Sequence, residues 1–145
     1  MHDVPRQLTV DGLAELFEGR TRLVEELAKR GDPLGEARDV IAGLSEEDKL
    51  AALNNHPAIG AKKLSARSAA EQGEEAEPAV LSELAYLNHV YEEKFGFRFL
   101  VFVNRRSKAE ILDVLRSRLE RTREEELDTA VEELVAIAED RWRHS

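Results

Sequence analysis

Apolar residues recur every three or four positions through almost the whole chain, and no other feature constrains its fold as strongly. That spacing lays one apolar stripe along each of a series of helices, and such helices bury their stripes by packing on one another. Thr9 stands where a helix N-cap is wanted. Val10, Leu13, Leu16, Phe17, Val24, Leu27 and Ala28 follow largely on one face, so a first helix is expected to run until Gly31-Asp32-Pro33 stops it. A shorter helix is expected on Leu34, Ala37, Ile41 and Leu44. Ser45-Glu46-Glu47-Asp48 then reads as the acidic start of a third, carrying Leu50 and Leu53. Asn54-Asn55-His56-Pro57 ends it, because the residue before a proline is pushed out of the helical region. His56 is therefore expected at a helix end.

Ser68-Ala69-Ala70-Glu71 spells a capping box and predicts a short helix, bracketed by Gly73, the acidic stretch Glu74-Glu75-Ala76-Glu77 and Pro78. Pro78 suits a first helical position. The stripe Leu81, Leu84, Asn88, Tyr91 and Phe95 predicts a long helix closed by Gly96 in the C′ role. Phe97 to Val103 is the one segment with strand-like composition, yet no second strand pairs with it, so it reads as extended backbone buried among helices. Ser107-Lys108-Ala109-Glu110 is a second capping box, opening a helix through Ile111, Leu112, Leu115 and Leu119. A last helix on Leu127, Ala130, Val131, Leu134, Ile137 and Ala138 continues to Arg141 and Trp142, which puts an arginine where the pattern expects an apolar residue. The expected fold is all-α: a single-domain helical bundle over residues 1–145 with one buried extended segment.

Composition narrows the chemistry. At 145 residues and 16.4 kDa the chain suits one core. The absence of cysteine excludes disulfides, thiolate metal sites and a cysteine nucleophile. With 21 Lys+Arg against 30 Asp+Glu the net charge is −9, so nucleic acid, whose binding would meet a repulsive field, is not an expected partner. No apolar run approaches the ~20 residues that span a bilayer, and Met1 to Arg6 lack a signal-peptide pattern. The expectation is a soluble cytoplasmic protein with no membrane partner.

Four histidines are available: His2, His56, His89 and His144. No pair has the i,i+4 spacing of a helical metal site and no His-Glu-x-x-His run occurs, so no metal site is expected. His56, between a rigid proline and the end of a helix, is either bonded to a helix-end carbonyl or available for proton transfer. Glu71 is either a reciprocal N-cap or a functional carboxylate, and Gln72 either faces water or binds a ligand amide. Arg141 on an apolar stripe must find an acceptor, whether an acid of this protein or an anionic substrate. Arg118, beside Leu115 and Leu119, is expected to pair with Glu126 in a structural role. The run Arg121-Thr122-Arg123-Glu124-Glu125-Glu126 reads as solvated surface.

Taken in order, His56-Pro57-Ala58-Ile59-Gly60, Ser68-Ala69-Ala70-Glu71-Gln72, Asn88 with Tyr91, Lys94-Phe95-Gly96-Phe97-Arg98-Phe99, Arg118-Leu119, Glu126, and Ile137 with Arg141 resemble the 2-oxo-4-hydroxy-4-carboxy-5-ureidoimidazoline (OHCU) decarboxylase family. These enzymes complete the oxidation of urate to (S)-allantoin. The resemblance implies an all-helical, usually dimeric enzyme of purine breakdown with no metal or organic cofactor and a small ureide substrate. It assigns catalytic roles to His56, Glu71 and Arg141, and substrate contacts to Pro57, Ser68 and Gln72. Phe99, Leu100, Val101, Phe102 and Val103 match the extended segment whose backbone groups line the pocket.

The N-terminal third departs from the family's pattern. Phe17-Glu18-Gly19-Arg20-Thr21-Arg22 stands where a Ser-Pro-Trp-like segment is common, and Gly31-Asp32-Pro33-Leu34-Gly35 where an Arg-Pro-Phe-like one is. Two other readings therefore stand beside the first: an enzyme acting on another ureide or imidazoline, and a non-catalytic helical interaction module.

Overall fold

A computed structural model describes residues 9–56 and 77–144. Within them the chain forms seven helices: α1 (Val10–Leu16), α2 (Arg22–Leu27), α3 (Ala37–Ala42), α4 (Glu46–Asn54), α5 (Pro78–Phe95), α6 (Lys108–Arg118) and α7 (Arg123–Arg143). No strand occurs among the described residues, so the fold is all-α. Helix α5 packs on α6; α2 touches α1, α3 and α4; and α7 lies against α1, α3 and α4. None of the described helices is long and apolar enough to cross a membrane.

Local chemistry sets several of the helix ends. The Thr9 hydroxyl accepts from the Gly12 amide, and that of Ser45 from Asp48. Ser107 with Glu110 forms the expected reciprocal cap of α6. Pro78 opens α5, where its missing N–H is no loss, and Gly96 closes it in the left-handed region at φ 82°. The capping box at Ser68–Glu71 lies outside the described residues.

One expectation needs correction. The single helix expected from Thr9 to Gly31 is two, α1 and α2, joined by a turn in which Glu18 has φ 63° and Gly19 φ 152°. The apolar spacing runs through this break because Phe17, Leu23 and Val24 are all buried on the same core, so periodicity alone does not betray the turn. The Leu16 carbonyl, which the end of the helix leaves without a backbone amide, receives Arg141 Nη1 at 3.1 Å.

The charge run at 121–126 is exposed over most of its length, as expected, with Arg121 half-buried and Glu126 buried. Thr122 and Glu125 form another capping box, at the start of α7. Arg121 reaches the buried Glu126 at 2.9 Å. Arg123 donates to the Phe95 carbonyl at 2.9 Å and pairs with Glu46, tying the end of α5 to the start of α4. The run thus faces solvent over most of its length while Arg123 and Glu126 tie it to its neighbours.

The extended segment is buried as expected, with Phe97, Phe99, Leu100, Val101 and Val103 in the core and Phe102 partly covered. Backbone buried without a partner strand must still find hydrogen bonds. Side chains supply them. Asn54 Oδ1 accepts from the Arg98 amide at 2.9 Å, Glu133 accepts from the Phe102 amide at 3.0 Å, and Arg118 donates to the Leu100 carbonyl at 2.7 Å. Arg106 binds the carbonyls of Phe102 and Val103. Edge-to-face rings of Tyr91 with Phe97 and Phe99, 5.9 and 5.3 Å between centroids, hold the segment against α5.

Behind that segment the expected pair forms. Arg118 Nε donates to Glu126 Oε1 at 2.7 Å while its guanidinium stacks 4.8 Å over Phe99. Tyr91 donates its hydroxyl to the same carboxylate, and burial followed by that hydrogen bond holds its ionisation far above the usual range. Arg118 is structural, as anticipated.

Candidate active site

His56 lies just past the end of α4, its amide bonded to the Leu53 carbonyl at 3.3 Å. Arg98 keeps it there. Its Nη1 donates to the carbonyls of Asn54 at 3.2 Å and of His56 at 2.6 Å, taking up acceptors that a helix C-terminus leaves open. The imidazole is 3% exposed and its Nε2 has no hydrogen-bond partner among the described residues. A buried polar atom of this kind is costly unless it is bonded, so the ring calls for a partner beyond the described residues.

Arg141 reaches the same region from the last turn of α7. Its Nη1 donates to the carbonyls of Glu15 and Leu16 at the end of α1, at 3.4 and 3.1 Å, and its Nη2 lies 3.3 Å from Glu18 Oε1. The arginine that broke the apolar stripe thus has an acid partner inside the protein, and that acid belongs to the same neighbourhood as His56. Burial, then the positive charge of Arg141, pushes the His56 imidazole down to about 4. Glu18 works against that shift, and Arg98 adds to it. At neutral pH the ring is uncharged and its Nε2 can act as a base.

Of the residues singled out in the sequence, His56 and Arg141 come together, at the meeting of α4, α7 and the α1–α2 turn. Phe99 to Val103 join the same core, though the Leu100, Phe102 and Val103 carbonyls and the Phe102 amide are already bonded to side chains of this protein. Pro57, Ser68, Glu71 and Gln72 lie outside the described residues. Two residues of this neighbourhood had no role in the sequence reading. Arg98 was visible only as part of the Gly96-Phe97-Arg98-Phe99 piece. Glu18 sat in the divergent N-terminal third, where the one signal was a glycine beside it interrupting an otherwise regular stripe.

These features define a class: an all-α protein in which a buried histidine lies in the field of a buried arginine beside an extended segment. The family model of OHCU decarboxylases matches residues 3–143. The OHCU decarboxylase of Haloferax volcanii is 30% identical over 143 residues, 90% of this chain and 84% of that protein. The uric acid degradation bifunctional protein PucL of Bacillus subtilis is 26% identical over 149 residues, and this chain spans 30% of its length. A crystal structure of OHCU decarboxylase in the presence of (S)-allantoin superposes with a TM-score of 0.71 at 28% identity, covering 83% of this chain and 87% of that one. The chain belongs to the OHCU decarboxylase family.

Proposed function

We propose that this protein is a carboxy-lyase that converts OHCU to (S)-allantoin in urate breakdown, with His56, Glu71 and Arg141 as its catalytic residues. Family membership supports the reaction. The observation that carries the site is the buried Nε2 of His56, without a hydrogen-bond partner among the described residues, in the field of Arg141.

The substrate's carboxylate sits on a ring carbon that also bears the hydroxyl, next to a carbon doubly bonded to a ring nitrogen. When the bond to the carboxylate breaks, its electron pair forms a double bond between the two ring carbons. The former C=N pair moves to the nitrogen, which takes a proton. The resulting enol ketonises: its hydroxyl proton leaves and the carbon bearing the ureido group gains one. Carbon dioxide leaves and one proton is consumed overall. Neutral His56 is the base for the hydroxyl proton, and Glu71 would steady the imidazolium that forms. Protonation from one face gives one enantiomer.

Arg141 holds an anionic oxygen, and it aids rate to the extent that this hold strengthens as charge moves in the transition state. Pro57, Ser68, Gln72 and the backbone of Phe99 to Val103 contact the ureide. A cytoplasmic homodimer of one domain per chain completes the proposal, and light scattering on the purified protein checks its mass.

Adding the protein to freshly generated urate-oxidation product tests the reaction: the ureidoimidazoline signal must decay faster than in buffer and yield one allantoin enantiomer. His56→Ala must fold and be inactive. The pairing of Arg141 with Glu18 is the observation that favours a non-catalytic module, and an active wild type with an inactive, folded His56→Ala excludes it.

A further inference from the structure

The turn between α1 and α2 spends an unfavourable conformation on an acid. Glu18 sits in the left-handed region, which glycine and asparagine occupy cheaply and a glutamate does not. Backbone held this way is found where the surroundings require it. Gly19, which follows, lets the turn close on α4: a Cβ there would lie 2.5 Å from Asn55 Nδ2, on the residue preceding His56. The same turn delivers the Glu18 carboxylate to Arg141, with the two side chains 13% and 2% exposed.

We propose that Glu18 is a positioning residue for the decarboxylation, orienting the Arg141 guanidinium and balancing the positive charge around His56. This inference rests on the decarboxylase reading above. The carbonyls of Glu15 and Leu16 hold one arm of the Arg141 fork, and Glu18 holds the other, so that the planar group has one orientation.

The groups facing His56 are Arg141 from α7, Arg98 from the extended segment and Glu18 from the turn. Two cations oppose the protonation that the reaction demands of the imidazole. Glu18 is the described acid that offsets them, and its charge stabilises the imidazolium during turnover.

The test compares wild type, Glu18→Gln and Glu18→Asp in two measurements. One is kcat and KM against pH on freshly generated urate-oxidation product. The other is the titration of the His56 ring by NMR, assigned with His56→Gln. In Glu18→Gln the His56 midpoint moves to lower pH, the acid limb of kcat moves with it, and kcat falls about ten- to a hundredfold while KM does not rise. Glu18→Asp, which keeps the charge but draws it back by one methylene, lies between.

A merely structural acid would lower the melting temperature and leave the His56 midpoint in place; that result overturns the proposal, as does an unchanged kcat. Should Glu18→Gln not fold, Glu18→Asp decides: wild-type values for both readouts overturn the proposal. A wild type that fails to turn over the substrate sinks the decarboxylase reading instead, and the proposal's kinetic half with it. The NMR titration then still tells whether Glu18 controls His56.

Discussion

The Arg98 guanidinium donates to the backbone carbonyl of His56 at 2.6 Å, so a side chain of the extended segment holds the end of the helix that presents the histidine. The same Nη1 takes the Asn54 carbonyl, and the Arg98 amide is received by the Asn54 side chain. The histidine and the segment proposed to line its pocket are thus one unit. Arg98→Met should lower stability by about 2 kcal/mol, the range for charged hydrogen bonds, and lower kcat by about tenfold or more through misplacement of His56. Arg98→Lys should recover little of it, because an ammonium lacks the fork. Urea denaturation and steady-state kinetics read the two effects, and wild-type kinetics in Arg98→Met would contradict the positioning role.

Stability should also depend on pH through His56. The unfolded ring titrates near 6.5 and the folded one at about 4, so between those values the unfolded chain binds a proton that the folded chain refuses. Stability from this group is complete above pH 6.5 and falls as the pH drops toward 4, by about 3 kcal/mol at the acid end. Denaturation curves across that window, compared with those of His56→Gln, isolate the contribution. Equal slopes in the two proteins would refute it.

Glu126 is fully buried and gathers Arg118, Arg121 and the Tyr91 hydroxyl. Glu126→Leu leaves Arg118 buried without its carboxylate and should destabilise the fold by about 3–5 kcal/mol. Arg118→Met combined with Glu126→Leu should be less harmful than the sum of the two single changes, since removing both charges strands neither. A double-mutant cycle with additive energies would show that the pair is not coupled.

Two glycines give a paired test. Gly96 has φ 82° with nothing near a Cβ, so Gly96→Ala should cost about 1 kcal/mol of backbone strain and leave kcat unchanged. Gly19→Ala meets Asn55 as well. It should destabilise by more and reduce kcat through the displaced neighbour of His56. Equal effects of the two substitutions on activity would remove the α1–α2 turn from the site.

Much of this architecture was legible in one dimension. Ser45, Pro78, Gly96 and Ser107 act on amides and carbonyls within a few positions, so their spelling carries their structure. The extended segment was legible as a strand-like run with no strand to join. Arg141 was legible as an oddity: a cation on an apolar stripe has to be bonded, whatever bonds it. The break between α1 and α2 was not, because Phe17, Leu23 and Val24 serve one core on either side of it and keep the helical rhythm.

The sequence by itself determined the helical class, the helix ends at Thr9, Ser45, Pro78, Gly96 and Ser107, the Arg118–Glu126 pair and the position of His56 at the end of α4, all through rules that act over a few residues or one short turn. Only the tertiary structure decided that Arg141 meets the end of α1 across 125 residues, that Arg98 grips His56 across 42, and that Glu18 joins them. Those contacts depend on where whole helices are carried by burial of their apolar faces. Burial selects which stripes meet, but the polar residues at the edges of those stripes follow only once the packing is made.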